Sequence, residues 1–295
     1  YARGNALRLA EVPYDAGETT ARVDEIVATI TPALLAERAG QGDPAPDPIF
    51  IVGLPRAGST LIEQILSSHS QIEGTMELPD IPAIAMRIAR LAGRGLHDWP
   101  AALVELEPTR LAELGAEYLR LTRVQRKTDK PFFIDKLPNN WAYIGLIALI
   151  LPNAKIVDAR RHPLDCCFSN FRQHFAKGQN FTYGLEDIGR YYADYVRAMQ
   201  HYDAVMPGRV HRVIHERLLD EPEQVVREML TYLGLPFEEE CMAFHTNRRA
   251  VRTASSEQVR RPINREGVGQ WRPYEAWLGP LKQVLGDLPE SYDKR

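Results

Sequence analysis

The chain has 295 residues, 36 Lys and Arg against 39 Asp and Glu, a net charge of −3 and 44% hydrophobic residues. Such a composition supports a sizeable core and excludes disorder or a fibrous repeat for the bulk of the chain, and the slight acidity gives no global signal for a nucleic-acid partner. Three cysteines (the adjacent Cys166 and Cys167, and Cys241) make no disulfide framework and suit a reducing, cytoplasmic compartment, and the longest apolar run, residues 144–151, is too short to cross a membrane.

The first residues lack both Met and a signal-peptide core, so the chain is expected to begin inside a longer protein. Residues 5–12 read as the end of a helix and 15–39 as two more short ones. Residues 40–48 hold three prolines and two glycines and read as a linker between a helical segment, 1–39, and a main domain, 49–295. Residues 49–52 form a short β-branched run bounded by Pro48 and Gly53, the pattern of a strand buried on both faces. A helix is expected over 60–68, an amphipathic one over 108–126, a second buried strand over 131–134 and an apolar helix over 141–151. A strand over 155–159, a helix over 164–174, a long helix over 186–205 and a strand over 210–215 follow. Asp220 reads as the N-cap of a further helix, with Pro222 in its first turn and Gly234 and Pro236 at its end. The alternation predicts an α/β fold: a P-loop-type parallel sheet flanked by helices, with a short helical N-terminal extension.

The strand at 49–52 runs into Gly53-Leu-Pro-Arg-Ala-Gly-Ser-Thr60. Gly53 and Gly58 keep the spacing of a phosphate loop, in which successive backbone N–H groups converge at a helix N-terminus and make an anion site. A nucleotide kinase needs Lys after the second Gly, to serve the β- and γ-phosphates of a triphosphate. Ser59 stands there instead, and Arg56 lies within the loop. Asp158, read as the one acidic strand-end candidate for Mg²⁺, follows only two apolar residues. The expected ligand is a single phosphate held by Arg56, Ala57, Gly58, Ser59 and Thr60, without a metal. The alternative is a tight strand–helix turn that binds nothing.

Pro55-Arg-Ala-Gly-Ser-Thr-Leu61 resembles the 5′-phosphosulfate loop of sulfotransferases that use PAPS (3′-phosphoadenosine 5′-phosphosulfate). It is most similar to the loops of protein-tyrosine sulfotransferases and of bacterial sulfotransferases with N-terminal tetratricopeptide repeats. The resemblance covers residues 48–271. It implies a second grip, for the 3′-phosphate, made by an Arg at a strand end and a Ser eight residues on. Arg161 and Ser169 stand at that spacing. The physics agrees, since Arg at a strand end is a bidentate phosphate donor and a hydroxyl two turns into the next helix reaches the same group. The alternative is a solvated Arg160–Arg161 pair with a neutral surface Ser. The resemblance also makes residues 1–39 the end of an upstream repeat array, through which a protein partner would bind.

Sulfuryl transfer needs a base, cations where charge develops and in-line alignment. Glu77 stands 21 residues after Arg56, where the resemblance places a general base, and such a base is expected to be tuned by burial and neighbours. Glu73 and Asp80 are the competing acids. Lys136 follows a predicted strand, so it projects into the crevice where ligands bind. The resemblance assigns it the leaving phosphate and the transferring group, beside Arg56, against the alternative of an ion pair with Asp135. Ser255 matches a Ser that aligns the sulfuryl group, with Ser256 adjacent and the register open by one.

Residues 248–272 hold seven Arg against two Glu, an excess that focuses an anionic field or else forms a solvated face. Arg265-Glu-Gly267, with the residues to Trp271, resembles the loop that covers the 3′-phosphate, though Glu266 and Gln270 replace lysines of that loop. His215 replaces a Tyr near the adenine and reads equally as a stacking partner or a core histidine. Cys241 and His245 share a predicted helix face but lack further ligands, so zinc is not expected. The expected activity is transfer of a sulfuryl group from PAPS to an acceptor hydroxyl, of a peptide tyrosine, a carbohydrate or a small molecule, releasing 3′-phosphoadenosine 5′-phosphate (PAP). A P-loop kinase with a degenerate loop and a non-catalytic, repeat-type binding module are the rivals.

Overall fold

The structure is a computed structural model that describes residues 1–295 except 96, 97, 248, 252, 254 and 295. Three helices precede the sheet: α1 (Ala2–Glu11), α2 (Ala16–Thr29) and α3 (Pro32–Glu37). Asp15 and Thr31 accept the amides of Gly17 and Leu34 at 2.8 and 3.2 Å, which caps α2 and α3. Val23 and Ile26 of α2 enter the same core as the strands, so this extension packs on the domain.

β1 (Pro48–Gly53) leads into α4 (Ser59–Ser67), β2 (Ile72–Gly74), α5 (Asp80–Leu91), α6 (Trp99–Val104) and α7 (Thr109–Thr122). β3 (Phe132–Lys136), α8 (Ile144–Ile150), β4 (Lys155–Arg160), α9 (Pro163–Phe171) and α10 (Leu185–Val205) follow. β5 (Val210–Ile214), α11 (His215–Asp220), α12 (Pro222–Leu233), α13 (Gly279–Leu285) and α14 (Leu288–Ser291) complete the order. The strands form one parallel sheet in the order β2-β3-β1-β4-β5. Helices cover both faces of its centre, which is why β1 is buried along its whole length and reads as a continuous apolar run. The chain leaves β1 toward β2 and β3 on one side and later reaches β4 and β5 on the other. The crevice therefore lies at the C-terminal ends of β1, β3 and β4.

Several boundaries differ from the sequence reading. β2, three residues with one apolar side chain, is too short to carry a periodicity. β3 continues through Asp135 and Lys136, because Asp135 is buried against the Tyr118 hydroxyl at 2.9 Å. The predicted helix over 141–151 opens as a 3₁₀ segment, Pro138–Tyr143, before α8. Asp220 is not an N-cap: it ends α11 and its carboxylate pairs with Arg265, leaving Glu221 at the start of α12 without a side-chain cap bond. Cys241 and His245 fall in separate 3₁₀ turns, Glu239–Cys241 and Phe244–Thr246, not on one helix.

Candidate active site

The loop after β1 is shaped by backbone that few residues tolerate. Gly53 and Gly58 have φ of +132° and +103°, and a Cβ on either would stand 2.3 Å from the Ala159 carbonyl oxygen or 2.6 Å from His215 Nδ1. Arg56 at φ +66° is the positive-φ non-glycine residue among those described, a strained conformation of the kind that marks functional loops. Gly58 is the N-cap of α4, so Ser59 and Thr60 occupy its first turn, where backbone N–H groups have no intrahelical acceptor.

The turn places Arg56 at the centre of a side-chain network. Its Nε donates to Ser169 Oγ at 3.1 Å, Nη1 to Ser255 Oγ at 2.5 Å and Nη2 to Gln258 Oε1 at 3.5 Å. Arg161, one residue past β4, donates Nη1 to the Arg56 carbonyl at 2.9 Å and Nη2 to the Gly267 carbonyl. Burial, and then the nearby charge of Arg161, push the Arg56 guanidinium below its usual range. Asp165 sits 4.0 Å from Arg161 and accepts the amides of Gly269 and Gln270 at 2.8 and 3.0 Å, which fastens residues 267–270 against α9.

Arg56, Gly58, Ser59, Thr60, Arg161, Ser169, His215, Ser255 and Gly267 line one cavity of about 170 Å³, roofed by residues 255–270. Several hundred Å³ is usual for a ligand of nucleotide size; here the roof segment supplies the hydroxyl and carbonyl groups that occupy both guanidinium groups. His215 is held neutral, its pKa pushed down to about 3 by burial and by Arg161, and its Nδ1 is buried without a partner among the described residues. Arg265 does not reach the cavity: it pairs with Asp220, at the end of α11. Arg261 and Glu266, ion-paired to each other, line the cavity instead. Of the seven arginines counted in the basic stretch, Arg248 and Arg252 lie outside the described residues.

Lys136 and Glu77 meet at the end of β3. The Lys136 amide donates to the Met76 carbonyl at 3.3 Å and its ammonium to the Glu77 carboxylate. The Lys136 side chain is 2% exposed and that of Glu77 47%, so Glu77 lies in contact with solvent and a cation rather than buried as expected. The competing acids are placed elsewhere. Glu73 is buried and accepts from the backbone of Lys127 and from Thr128 Oγ1 at 2.8 Å, while Asp80 opens α5. Asp135 does not pair with Lys136; burial raises its carboxyl to about 8. Asp158 is buried between Tyr195, Arg212 and Arg160, so that carboxylate is committed to the interior and not to a cation in the cleft.

The sequence reading missed Glu63, Arg249, Asp165 and Gln258. Glu63 carried a usable signal: an acid on α4 amid Leu61, Ile62, Ile65 and Leu66, and it is buried. Asp165 stands four residues after Arg161, in the first turn of α9, and Gln258 three residues after Ser255, while Arg249 is brought in from a distant segment with no local pattern. Cys166 and Cys167 are buried on α9, with Cys166 Sγ 3.6 Å from the Pro55 carbonyl behind the phosphate loop, and burial raises both thiols. Tyr191, Tyr192 and Tyr195 are core residues; Tyr192 donates to the Arg161 carbonyl at 2.8 Å.

A model of the sulfotransferase family matches residues 48–239. A protein of Aquifex aeolicus, described as uncharacterized, is 37% identical over 290 residues, 96% of this chain and 38% of its own length. The protein-tyrosine sulfotransferase of Drosophila melanogaster is 24% identical over 81% of this chain and 48% of its own. The chain thus spans less than half of either relative. Among solved structures, the sulfotransferase domain of a Synechococcus olefin synthase superposes with a TM-score of 0.61 at 20% identity, covering 88% of this chain and 98% of that one. The sulfotransferase domain of the curacin biosynthetic pathway gives 0.55 at 18% identity, over 83% and 98%. A mouse sulfotransferase complexed with PAP gives 0.50 at 13% identity, over 88% and 93%. These likenesses are of fold.

Proposed function

Because the chain belongs to the sulfotransferase family, we propose that it moves a sulfuryl group from PAPS to an acceptor hydroxyl, with Glu77 as general base. The observation that supports this reading best is that Arg56, Ser59, Thr60, Arg161 and Ser169 line one cavity, in which Arg56 bonds the Ser169 hydroxyl and Arg161 the Arg56 carbonyl. Arg56 donates to the oxygens of Ser169, Ser255 and Gln258, and Arg161 to two backbone carbonyls with Asp165 at 4.0 Å; a phosphate would bind each guanidinium as a charge-assisted partner stronger than these neutral oxygens.

In this reading the loop N–H groups, Ser59 and Thr60 hold the 5′-phosphate and Arg161 and Ser169 the 3′-phosphate. Glu77 takes the proton of the acceptor hydroxyl as its oxygen attacks sulfur. The bond from sulfur to the 5′-phosphate breaks and leaves its electron pair on that phosphate. Lys136 and Arg56 stabilise the charge gathering there. Ser255, bonded to Arg56, aligns the group. The Lys136–Glu77 contact supports pairing base and cation in this way, although neither residue lines the cavity around Arg56 and Arg161. Residues 1–39 would continue an upstream repeat array, and a peptide tyrosine is the acceptor favoured by the protein-tyrosine relative.

Calorimetry with PAP and with ADP tests the reading. Much tighter binding of PAP is expected; equal affinity for both, with Mg²⁺-dependent ATP turnover, would favour a degenerate kinase instead. A screen of tyrosine peptides, carbohydrates and phenols with labelled PAPS then identifies the acceptor. Undiminished transfer by Glu77→Ala would remove Glu77 as base.

A further inference from the structure

Arg249 lies between α4, which follows the phosphate loop, and the segment that carries Glu77. Its guanidinium meets the Glu63 carboxylate at 2.6 Å, with side-chain exposures of 19% and 2%. Nε donates to Gln64 Oε1 at 3.2 Å and Nη1 to the Thr75 carbonyl at 2.9 Å. A Cβ on Gly74 would stand 2.9 Å from the Arg249 Cζ, so the close approach needs a glycine there. Thr75 Oγ1 in turn donates to the Ile134 carbonyl of β3 at 2.5 Å. Arg249 is itself anchored: its amide donates to Asn247 Oδ1 at 3.0 Å, and Asn247 Nδ2 donates to Ser68 Oγ at 3.2 Å, at the end of α4.

The Glu63 carboxyl has almost no water around it. Burial raises its carboxyl, and the cations Arg249 and Lys136 oppose that rise. Truncating one member of such a pair strands the other in the interior. This arrangement is therefore a rigid strut, with one end on the helix that holds the donor and the other two residues from Glu77.

We propose that Glu63 and Arg249 are positioning residues for sulfuryl transfer, fixing residues 74–77 so that the Glu77 carboxylate is held at Lys136 beside the loop of Arg56; this rests on the reading of Glu77 as base. The pair touches neither nucleotide nor acceptor and acts through Glu77.

The test is Arg249→Met, Arg249→Lys and Glu63→Gln, each made alone and with Glu77→Ala. Amide hydrogen exchange is read segment by segment, PAP affinity by calorimetry, and PAP release from PAPS with 4-nitrophenol as probe acceptor. Expected in Arg249→Met is exchange at least about tenfold faster, confined to residues 74–77, with PAP affinity within about threefold. PAP release should fall about 10- to 100-fold in the Glu77 background and no further in the Glu77→Ala background, the non-additivity of groups acting as one unit. Arg249→Lys and Glu63→Gln should show the same pattern more weakly, and they decide the matter if Arg249→Met does not fold. Unchanged exchange at 74–77, exchange raised evenly across α4 and the sheet, or a full further loss on top of Glu77→Ala would each overturn the proposal while leaving Glu77 as base. Full PAP release by Glu77→Ala alone would remove the base reading and the proposal together.

Discussion

Lys136 reaches out of the sheet with a buried stem and ends on the half-exposed carboxylate of Glu77. A cation held by burial on one side and by a carboxylate on the other is preorganised for charge that appears during reaction, the arrangement from which electrostatic stabilisation draws most. Lys136→Met should therefore lower the turnover of PAPS about 10²- to 10³-fold, in the range seen for loss of one transition-state donor. PAP affinity should change by less than about tenfold. Single-turnover rates with labelled PAPS, beside calorimetry, separate the two effects.

Arg161 bonds the backbone of the loop residue Arg56 and the carbonyl of Gly267, yet the hydroxyl of Ser169 at the same cavity is met by Arg56. In the proposed complex the 3′-phosphate takes those donors. Arg161→Met should weaken PAP about 10- to 100-fold, as expected for losing a hydrogen bond to a charged group. ADP, which lacks that phosphate, should bind with little change. Calorimetry on both nucleotides checks this; a parallel loss for ADP would mean that Arg161 serves the loop and not the 3′-phosphate.

The sheet was legible because β1 leaves a continuous apolar run and β3, β4 and β5 leave shorter apolar or aromatic stretches between helical patterns. β2 escaped because three edge residues carry no period. In the site, Arg56, Gly58, Ser59 and Thr60 could be read from one contiguous motif, and Arg161 with Ser169 from a second. Arg265 was misplaced because its partner, Asp220, comes from the end of α11, and a contact between distant segments leaves no local pattern. Glu77 was singled out by its distance from Arg56, and that spacing encodes neither its half-exposure nor its contact with Lys136.

Gly53 is held in place by the sheet itself. Its φ of +132° and the 2.3 Å approach of the Ala159 carbonyl mean that an added methyl group meets backbone of β4, which cannot rotate away. Gly53→Ala should destabilise the fold by at least about 2 kcal/mol, combining left-handed strain with overpacking. Gly178→Ala, at φ +75° with nothing within 4 Å, carries the backbone cost alone and should lose about 1 kcal/mol. Thermal unfolding of the two variants side by side gives the comparison. Equal losses would mean that the β4 carbonyl yields.

His215 sets an expected acid limit on stability. Its half-buried ring packs against Gly58 with Arg161 nearby, and both factors, desolvation first, press its pKa from 6.5 down to about 3. The unfolded chain therefore binds a proton that the folded chain refuses over the window from about 6.5 to about 3. Stability contributed by the neutral ring is present above that window and is lost as pH falls through it, at up to about 1.4 kcal/mol per pH unit. His162 and His211, also pushed down mainly by burial, add slope of the same sign at the upper end. His215→Gln removes the largest of these shifts, so urea midpoints measured between pH 7 and pH 4 should fall less steeply in the variant than in the parent. Identical slopes would mean that His215 takes up its proton without leaving the native fold.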